Sequence, residues 1–248
     1  MAPPRTSVGA PALSIIVPTY NEAANLPLLA WLLNRHLSTP PATVDFELVV
    51  VDDSSPDGTA AVAEHLAAAL PQLLLKVVSR PGKLGLGSAY IEGLKAARGQ
   101  LVLLMDADLS HHPKYIPLFL EKQRATGCDI VTGTRYRAGG GVAGWTLSRK
   151  VVSRGANIMA SFLLGATTSD LTGSFRLYRR SVLESLLQVS TSSGYAFQME
   201  VIVRAQYAKH SIAEVPIVFV DRVLGESKLG ANEVVLFVRG LFKLLATL

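Results

Sequence analysis

Five short apolar runs, separated by stretches with helical spacing, constrain this chain more than any other feature of it. They read LSIIVPTY (13–20), DFELVVVDD (45–53), LLLKVVS (73–79), QLVLLMDAD (100–108) and CDIVTGTRY (128–136). Strands that are apolar on both faces, with helices between them, predict a largely parallel sheet covered on both sides. The intervening segments fit: residues 21–37 space Leu26, Leu29, Trp31 and Leu33 helically, 54–70 is a turn and an Ala-rich helix, 85–98 opens a helix on small residues, and 113–127 is a further helix. In such sheets ligands bind beyond the carboxyl ends of the strands. Polar residues collect there: Thr19 to Glu22, Asp52 and Asp53, Asp106 and Asp108, and Arg135.

After residue 137 the pattern changes. RAGGGVAGW is a Gly-rich connection, and 148–165 reads as an amphipathic basic helix. DLTGSFRLYRR (170–180) reads as a strand containing Gly173, and 194–208 as a helix. IAEVPIVFVDR is extended and bent at Pro216. An apolar helix bearing Arg239 and Lys243 closes the chain. The 248 residues predict one domain over 13–248 behind a disordered leader, 1–12. Lys plus Arg exceed Asp plus Glu by 24 to 19. That excess suits an anionic substrate or membrane surface and is too diffuse for nucleic acid. The single cysteine, Cys128, excludes an intramolecular disulfide or a thiolate metal cluster and fits a reducing compartment. No segment reaches the roughly 18 apolar residues of a spanning helix.

Asp106 and Asp108 alternate, so in an extended segment both point to one side, their Cα atoms about 6.5 Å apart. One hard cation can be held there, with phosphate oxygens and water completing its shell, as Mg²⁺ prefers. Taken alone, the pair reads equally as a solvated turn. Asp52–Asp53 and the polar PTYNE at the ends of neighbouring strands add the parts a nucleotide–sugar diphosphate needs.

PTYNEAANLP, VVVDDSSPDGT, MDADLSHHPKYIP, GTRY, SRGAN, SDLTGSFRLYRR and DRVLGESKLG together resemble the catalytic subunits of the eukaryotic dolichol-phosphate mannosyltransferases. These are family 2 glycosyltransferases of the GT-A fold, and the similarity runs from about residue 13 to the end of the chain. It implies a Rossmann-like α/β fold with a nucleotide-sugar-binding half, 13–136, and an acceptor-side, membrane-facing half, 137–248. It implies transfer of mannose from GDP-mannose to dolichyl phosphate, for protein glycosylation and anchor synthesis. Pro18, Tyr20, Glu22, Val51 and Asp53 would line the guanosine pocket. Asp106, Ala107 and Asp108 would hold the diphosphate and its Mg²⁺ or Mn²⁺. Arg135, Arg222 and Lys228 would grip phosphates, and Arg149 and Ser153 would face the acceptor phosphate. Archaeal relatives carry a metal-binding glutamine where this chain has Ser110. Here the metal set is Asp106, Asp108 and either Ser110 with water or His111, while His112 before Pro113 orders the loop. The chain ends where some relatives continue into spanning helices. The resemblance therefore implies tethering by small membrane subunits, on the cytosolic face of the endoplasmic reticulum.

The chemistry agrees. Departure of GDP from the anomeric carbon builds negative charge on the diphosphate, which a cation at Asp106 and Asp108 neutralises. A phosphate monoester acceptor, with its second pKa about 6, is already mostly dianionic and needs no general base. Arginine forks can position it. Single displacement with inversion, to a β-linked product, is expected. Arg149, beside Lys150 and Arg154 on one helix, reads as functional rather than as a wet face. Asp170 either positions substrate or makes a turn bond before Thr172. Glu200 reads as structural, and Gly85 and Gly87 as close packing at a helix start. The helices at 146–165 and 233–248 could both lie at a membrane surface or cover acceptor carbons, although for the second ordinary core packing is the readier reading. The nearest rival is a polyprenyl-phosphate glucosyltransferase using UDP-glucose. A nicotinamide oxidoreductase is opposed by the lack of G-x-G-x-x-G after the first strand.

Overall fold

Runs of Val, Ile and Leu favour extended backbone, and here nearly every one of them is covered on both faces. The computed structural model describes residues 9–40, 43–192, 196–222 and 231–247, the side chains of 231–237 excepted. Residues 1–8 of the expected leader, and Lys228, lie outside the described residues. The strands are β1 (Leu13–Thr19), β2 (Phe46–Asp52), β3 (Leu75–Ser79), β4 (Leu101–Leu104), β5 (Ile130–Thr134), β6 (Gly141–Ala143), β7 (Arg176–Arg179), β8 (Ile212–Pro216) and β9 (Val218–Val220). The helices are α1 (Leu26–Leu37), α2 (Thr59–Ala69), α3 (Leu86–Ala96), α4 (Ile116–Thr126), α5 (Leu147–Leu163), α6 (Arg180–Val189), α7 (Ala196–Tyr207) and α8 (Ala231–Thr247).

Seven strands form one sheet in the order β3-β2-β1-β4-β7-β5-β8, and β6 pairs with β9 in a small second sheet. Every pairing in the main sheet is parallel except those of β7, which runs antiparallel to both β4 and β5. Alternate residues of the strands enter two cores. Ile16, Val49, Val51, Val102 and Leu104 pack with α3, α6, α7 and α8 on one side. Leu13, Ile15, Leu48, Val50 and Leu103 pack with α1, α4 and Ala63 of α2 on the other. No helix among the described residues is long and apolar enough to cross a membrane.

Three differences from the sequence reading matter for function. First, β4 ends at Leu104, so Asp106 and Asp108 lie in a loop and not in an extended strand. The Asp108 side chain accepts the Ser110 N–H, and Leu109 takes a positive φ, which turns the chain away from the sheet. Second, only Arg176–Arg179 of DLTGSFRLYRR is strand, because residues 170–173 coil around the Asp170 carboxylate, which accepts the N–H groups of Thr172 and Gly173. Third, α1 begins at Leu26 and not at Asn21. Asn21 has positive φ, and the Glu22 carbonyl closes a turn onto the N–H groups of Asn25 and Leu26. Gly87 packs closely, as expected: a Cβ there would stand 2.9 Å from the Phe197 ring.

Gly93 sets how near α3 comes to the sheet. A Cβ at this position would stand 2.5 Å from Ile16 Cγ2 and 3.0 Å from Val51 Cγ2, both on stiff β-branched side chains. Gly93→Ala should therefore destabilise the fold by about 1–3 kcal/mol from overpacking, less the roughly 1 kcal/mol that alanine returns in helix propensity. A lowered midpoint in urea denaturation is the expected result.

Candidate active site

The loop after β4 is built to hold its two carboxylates in different states. Asp108 is buried, and its Oδ1 accepts the Ser110 N–H at 3.1 Å and the Ser110 hydroxyl at 2.5 Å. Its Oδ2 accepts Arg222 Nη2 at 2.8 Å, and Arg222 Nη1 stands 3.7 Å from Glu22 Oε1. Asp106 Oδ2 accepts the Ser174 hydroxyl at 2.9 Å, and Oδ1 has no protein partner among the described residues. Ala107 between them is buried in the α1/α4 core. His111 takes the Asp106 N–H on Nδ1 at 3.2 Å, and its ring stacks on Phe175 with centroids 4.9 Å apart. It orders the loop. His112 caps the following turn by accepting the Lys114 N–H on Nδ1.

Burial is the largest influence on Asp106 and raises its pKa, with the Asp108 charge reinforcing it, although 36% of the side chain stays open to solvent. Burial acts to raise Asp108 as well, but the Ser110 hydroxyl, His111 and Arg222 together hold it below the ordinary carboxylate range. Burial lowers His111, so the ring is neutral near pH 7, consistent with Nδ1 as an acceptor.

Next to this loop, Arg135 leaves the end of β5 and forms a two-pronged pair with Asp170, Nε to Oδ2 and Nη2 to Oδ1, each 2.7 Å. Nη2 also reaches the Thr172 hydroxyl at 2.6 Å. Arg149, on the first turns of α5, donates to both oxygens of Asp221 at 3.2 Å and lies 4.3 Å above the Trp145 ring. The Arg135 guanidinium is 5.8 Å from the same ring, so the two arginines flank Trp145. Ser153, one turn after Arg149, shares a hydrogen bond with Tyr136 at 2.8 Å. Arg135, Arg149 and Ser153 are thus brought together, joined by Trp145 and Tyr136.

On the far side of the crevice, the expected nucleoside residues sit on β1, β2 and the turns after them. Pro18 and Val51 are register partners. The Val51 side chain is fully buried against α3, which leaves only its backbone for a ligand. Lys83 Nζ lies 3.5 Å over the Tyr20 ring. Glu22 is buried and accepts Asn25 Nδ2 at 2.6 Å. Asp53 pairs with Arg80, Nε to Oδ1 at 2.6 Å.

The donor set at Asp106 and Asp108 suits a hard divalent ion. It consists of carboxylate oxygens, one of them unpartnered, with no sulfur on the loop and with Nδ1 of both His111 and His112 already taken by backbone N–H groups. No cluster of three or more His, Cys, Asp or Glu side chains suited to a metal occurs among the described residues. Ligand oxygens and water would therefore complete the shell, as Mg²⁺ or Mn²⁺ permits. Ser174, Arg80, Trp145 and Asp221 escaped the sequence reading. Ser174, Arg80 and Asp221 are marked only by partners far along the chain, and Trp145 by the two arginines that meet its ring.

The model for glycosyl transferase family 2 matches residues 14–187. A polyprenol monophosphomannose synthase of Mycolicibacterium smegmatis is 42% identical over 224 residues, covering 89% of this chain and 82% of its own. An undecaprenyl-phosphate mannosyltransferase of Micrococcus luteus is 40% identical over 221 residues, covering 88% and 87%. A crystal structure of glucosyl-3-phosphoglycerate synthase from Mycobacterium tuberculosis, with Mn²⁺, UDP-glucose and phosphoglyceric acid, superposes with a TM-score of 0.70 at 18% identity, covering 95% of this chain and 80% of that one. The same enzyme with Mg²⁺ and UDP gives 0.64 at 21% identity, covering 96% and 79%. The fold is the Rossmann-like GT-A arrangement. The curated relatives are bacterial and support the polyprenol-phosphate mannosyltransferase part of the resemblance, not its eukaryotic part.

The Arg135–Asp170 pair yields a stability test. Burial acts to raise Asp170, but the Arg135 guanidinium outweighs it and holds the carboxyl below its usual range. Ionised Asp170 therefore stabilises the fold at pH values above about 4, the unfolded value, and that contribution is lost as pH falls through the lower folded value. Asp170→Ala strands the buried Arg135 charge and should cost roughly 3–5 kcal/mol. Denaturation followed from neutral to acid pH should show the difference between variant and wild type shrinking as Asp170 protonates.

Proposed function

The chain belongs to glycosyl transferase family 2, and on that premise we propose that it transfers mannose from GDP-mannose to a polyprenyl monophosphate, with dolichyl phosphate the acceptor its motifs imply. One observation carries the reading. Asp106, with an unpartnered carboxylate oxygen, is tied through Ser174 to the turn that holds Arg135, Arg222 lies on Asp108, and Arg149 shares the Trp145 ring with Arg135. The carboxylates suit the cation-bound diphosphate of a donor, and the arginines suit a phosphate acceptor.

Asp106 and Asp108 would hold Mg²⁺ or Mn²⁺, which when bound supplies Lewis-acid stabilisation to the departing diphosphate. The metals in the Mycobacterium tuberculosis structures support this assignment. Ser110 keeps Asp108 oriented by donating to Oδ1. Arg222 already lies on Asp108 and is near enough to the donor side to grip a phosphate. The acceptor phosphate arrives ionised, so the chain supplies position and not a base. The Arg149 guanidinium and the remaining Nη1 of Arg135, whose fork is taken by Asp170, can with the Ser153 hydroxyl orient one oxygen toward the anomeric carbon. Direct displacement inverts the sugar and gives a β-linked product.

The acceptor's tail needs an apolar surface, and α5 offers one. Leu147, Val151, Ile158 and Phe162 recur along one stripe of the helix, and Leu147 and Phe162 are 78% and 86% exposed. Lys150 and Arg154 flank the stripe. We assign this face to the membrane surface. The resemblance adds the cytosolic face of the endoplasmic reticulum and small anchor subunits as the setting. Phe242 and Leu245 on α8 are exposed as well and extend the apolar surface available.

The test is transfer of radiolabelled mannose from GDP-mannose to a short polyprenyl phosphate in detergent, with UDP-glucose as the competing donor. Label should enter the lipid phase with Mg²⁺ or Mn²⁺ and disappear with chelator. Asp106→Asn and Asp108→Asn should each lower kcat by about 10²-fold or more in protein that still folds, with the thermal midpoint falling for Asp108→Asn, which loses the Arg222 pair, and holding for Asp106→Asn. Arg149→Ala should raise the acceptor KM more than it lowers kcat. Folded, metal-replete protein that leaves the lipid unlabelled would refute the function, and preferential use of UDP-glucose would replace the donor.

A further inference from the structure

Arg80 is nearly fully buried, with its side chain 3% exposed, and it stands outside every residue assigned above to metal, donor or acceptor. It follows β3 directly. Its N–H donates to the Asp52 carbonyl at 2.8 Å, and its own carbonyl accepts the Ser54 hydroxyl at 2.6 Å. The guanidinium is held from both sides. Nε and Nη2 converge on a single oxygen, Asp53 Oδ1, at 2.6 and 2.5 Å. Nη1 donates to the Ser88 hydroxyl at 2.7 Å, in the first turn of α3, and Nη2 lies 3.4 Å from the Gly85 carbonyl.

The two adjacent aspartates at the end of β2 are thereby separated in role. Asp52 is spent on the fold. Its Oδ1 accepts the hydroxyls of Thr19 and Ser55, and its Oδ2 accepts the Ser55 N–H, which fastens β1 to β2. Asp53 keeps Oδ2 without a partner among the described residues, while Oδ1 is clamped by Arg80. A carboxylate gripped by one oxygen cannot rotate freely, and its other oxygen keeps a fixed direction. Arg80 also neutralises Asp53 in a crevice that must accept a diphosphate, where an unmatched carboxylate would repel the ligand.

We infer that Arg80 is a positioning residue for nucleoside recognition: through Asp53 it presents one oriented, charge-balanced carboxylate oxygen to a hydrogen-bond donor of the nucleoside, a base N–H or a ribose hydroxyl. Anchoring by Ser88 makes the start of α3 part of the same device. The inference rests on the proposed reading of Asp53 as a nucleoside contact.

Calorimetric titration with GDP, UDP and 2′-deoxy-GDP, each with Mg²⁺, tests it. Arg80→Met should weaken GDP about 10-fold or more, as expected for losing a charged hydrogen bond to the acceptor. Arg80→Lys should recover part of that loss. Asp53→Asn added to Arg80→Met should cost little further, because the two residues act as one unit. In turnover the loss should fall on the donor KM and leave kcat within about twofold. An undiminished Arg80→Met effect on 2′-deoxy-GDP identifies the donor as the base, and a reduced effect identifies it as the ribose. Ser88→Ala removes the outer anchor while keeping the charge, and it should weaken GDP by about threefold. Its cycle with Asp53→Asn carries the test if Arg80→Met does not fold. Losses that multiply in the double variant, or wild-type affinity in variants whose thermal midpoint falls, would overturn the inference and leave Arg80 purely structural. If UDP binds better than GDP, the donor assignment fails, and the same cycle run on UDP still decides the role of Arg80.

Discussion

An arginine and an aspartate taken out of water together recover the cost only when their remaining donors and acceptors are also used. Asp170 and Arg135 meet that condition. Asp170 is fully buried and accepts the Arg135 N–H, both arms of the guanidinium, and the N–H groups of Thr172 and Gly173. The pair thereby fixes the end of β5 to the turn that leads into β7. Ser174, just beyond that turn, donates to Asp106. One buried ion pair thus sets where the Asp106 carboxylate stands relative to Arg135. Asn157 of α5 holds the same turn from the other side, donating to the Ser169 carbonyl and accepting the Leu171 N–H.

Around this fixed point most acids of the crevice have a guanidinium of their own: Asp53 has Arg80, Asp108 has Arg222, Asp170 has Arg135 and Asp221 has Arg149. The Asp106 carboxylate accepts only the neutral Ser174 hydroxyl among the described residues, while its backbone N–H donates to the His111 ring. Burial therefore raises the Asp106 pKa, whereas Asp108 and Asp170, each against its arginine, are held below the ordinary carboxylate range. That asymmetry gives the site its direction. The four pairs are charge-balanced, and Asp106 is the carboxylate left without a guanidinium, the place where a cation would complete the balance.

The strands were legible because Val, Ile and Leu crowd them, and the crevice was legible because those runs end on acids and arginine. The sequence could not say where β4 stopped, since Met105 is as apolar as Leu104 and only the Asx turn at Asp108 breaks the extension. Helix α6 went unread because SVLESLLQV follows β7 without a punctuating residue. The antiparallel placement of β7 between β4 and β5 depends on pairings across many residues, such as Val102 with Tyr178. The same limit hid the partners that tune the site: Arg149 lies 72 residues from Asp221, and Ser174 lies 68 from Asp106. Local pattern reveals which residues are apolar or charged. It does not reveal which charge meets which.

Helix α5 shows how one element can serve both ends of an amphiphilic substrate. A helix at the surface of a water-soluble domain ordinarily turns its apolar stripe inward. Here Asn157 is buried and Ser153 and Arg149 bond to the body of the protein, whereas Val151, Ile158 and Phe162 lie exposed. Each large side chain left in water forgoes roughly 1.5–3 kcal/mol of burial. The reversed polarity therefore carries a cost that the polar contacts alone do not explain, and an apolar phase outside would remove it. A polyprenyl phosphate has matching polarity: a charged head for the inner face and a hydrocarbon chain for the outer one. On the proposed function, a helix lying at that boundary would let the acceptor stay in the lipid while its phosphate crosses the thickness of a single helix toward Arg135.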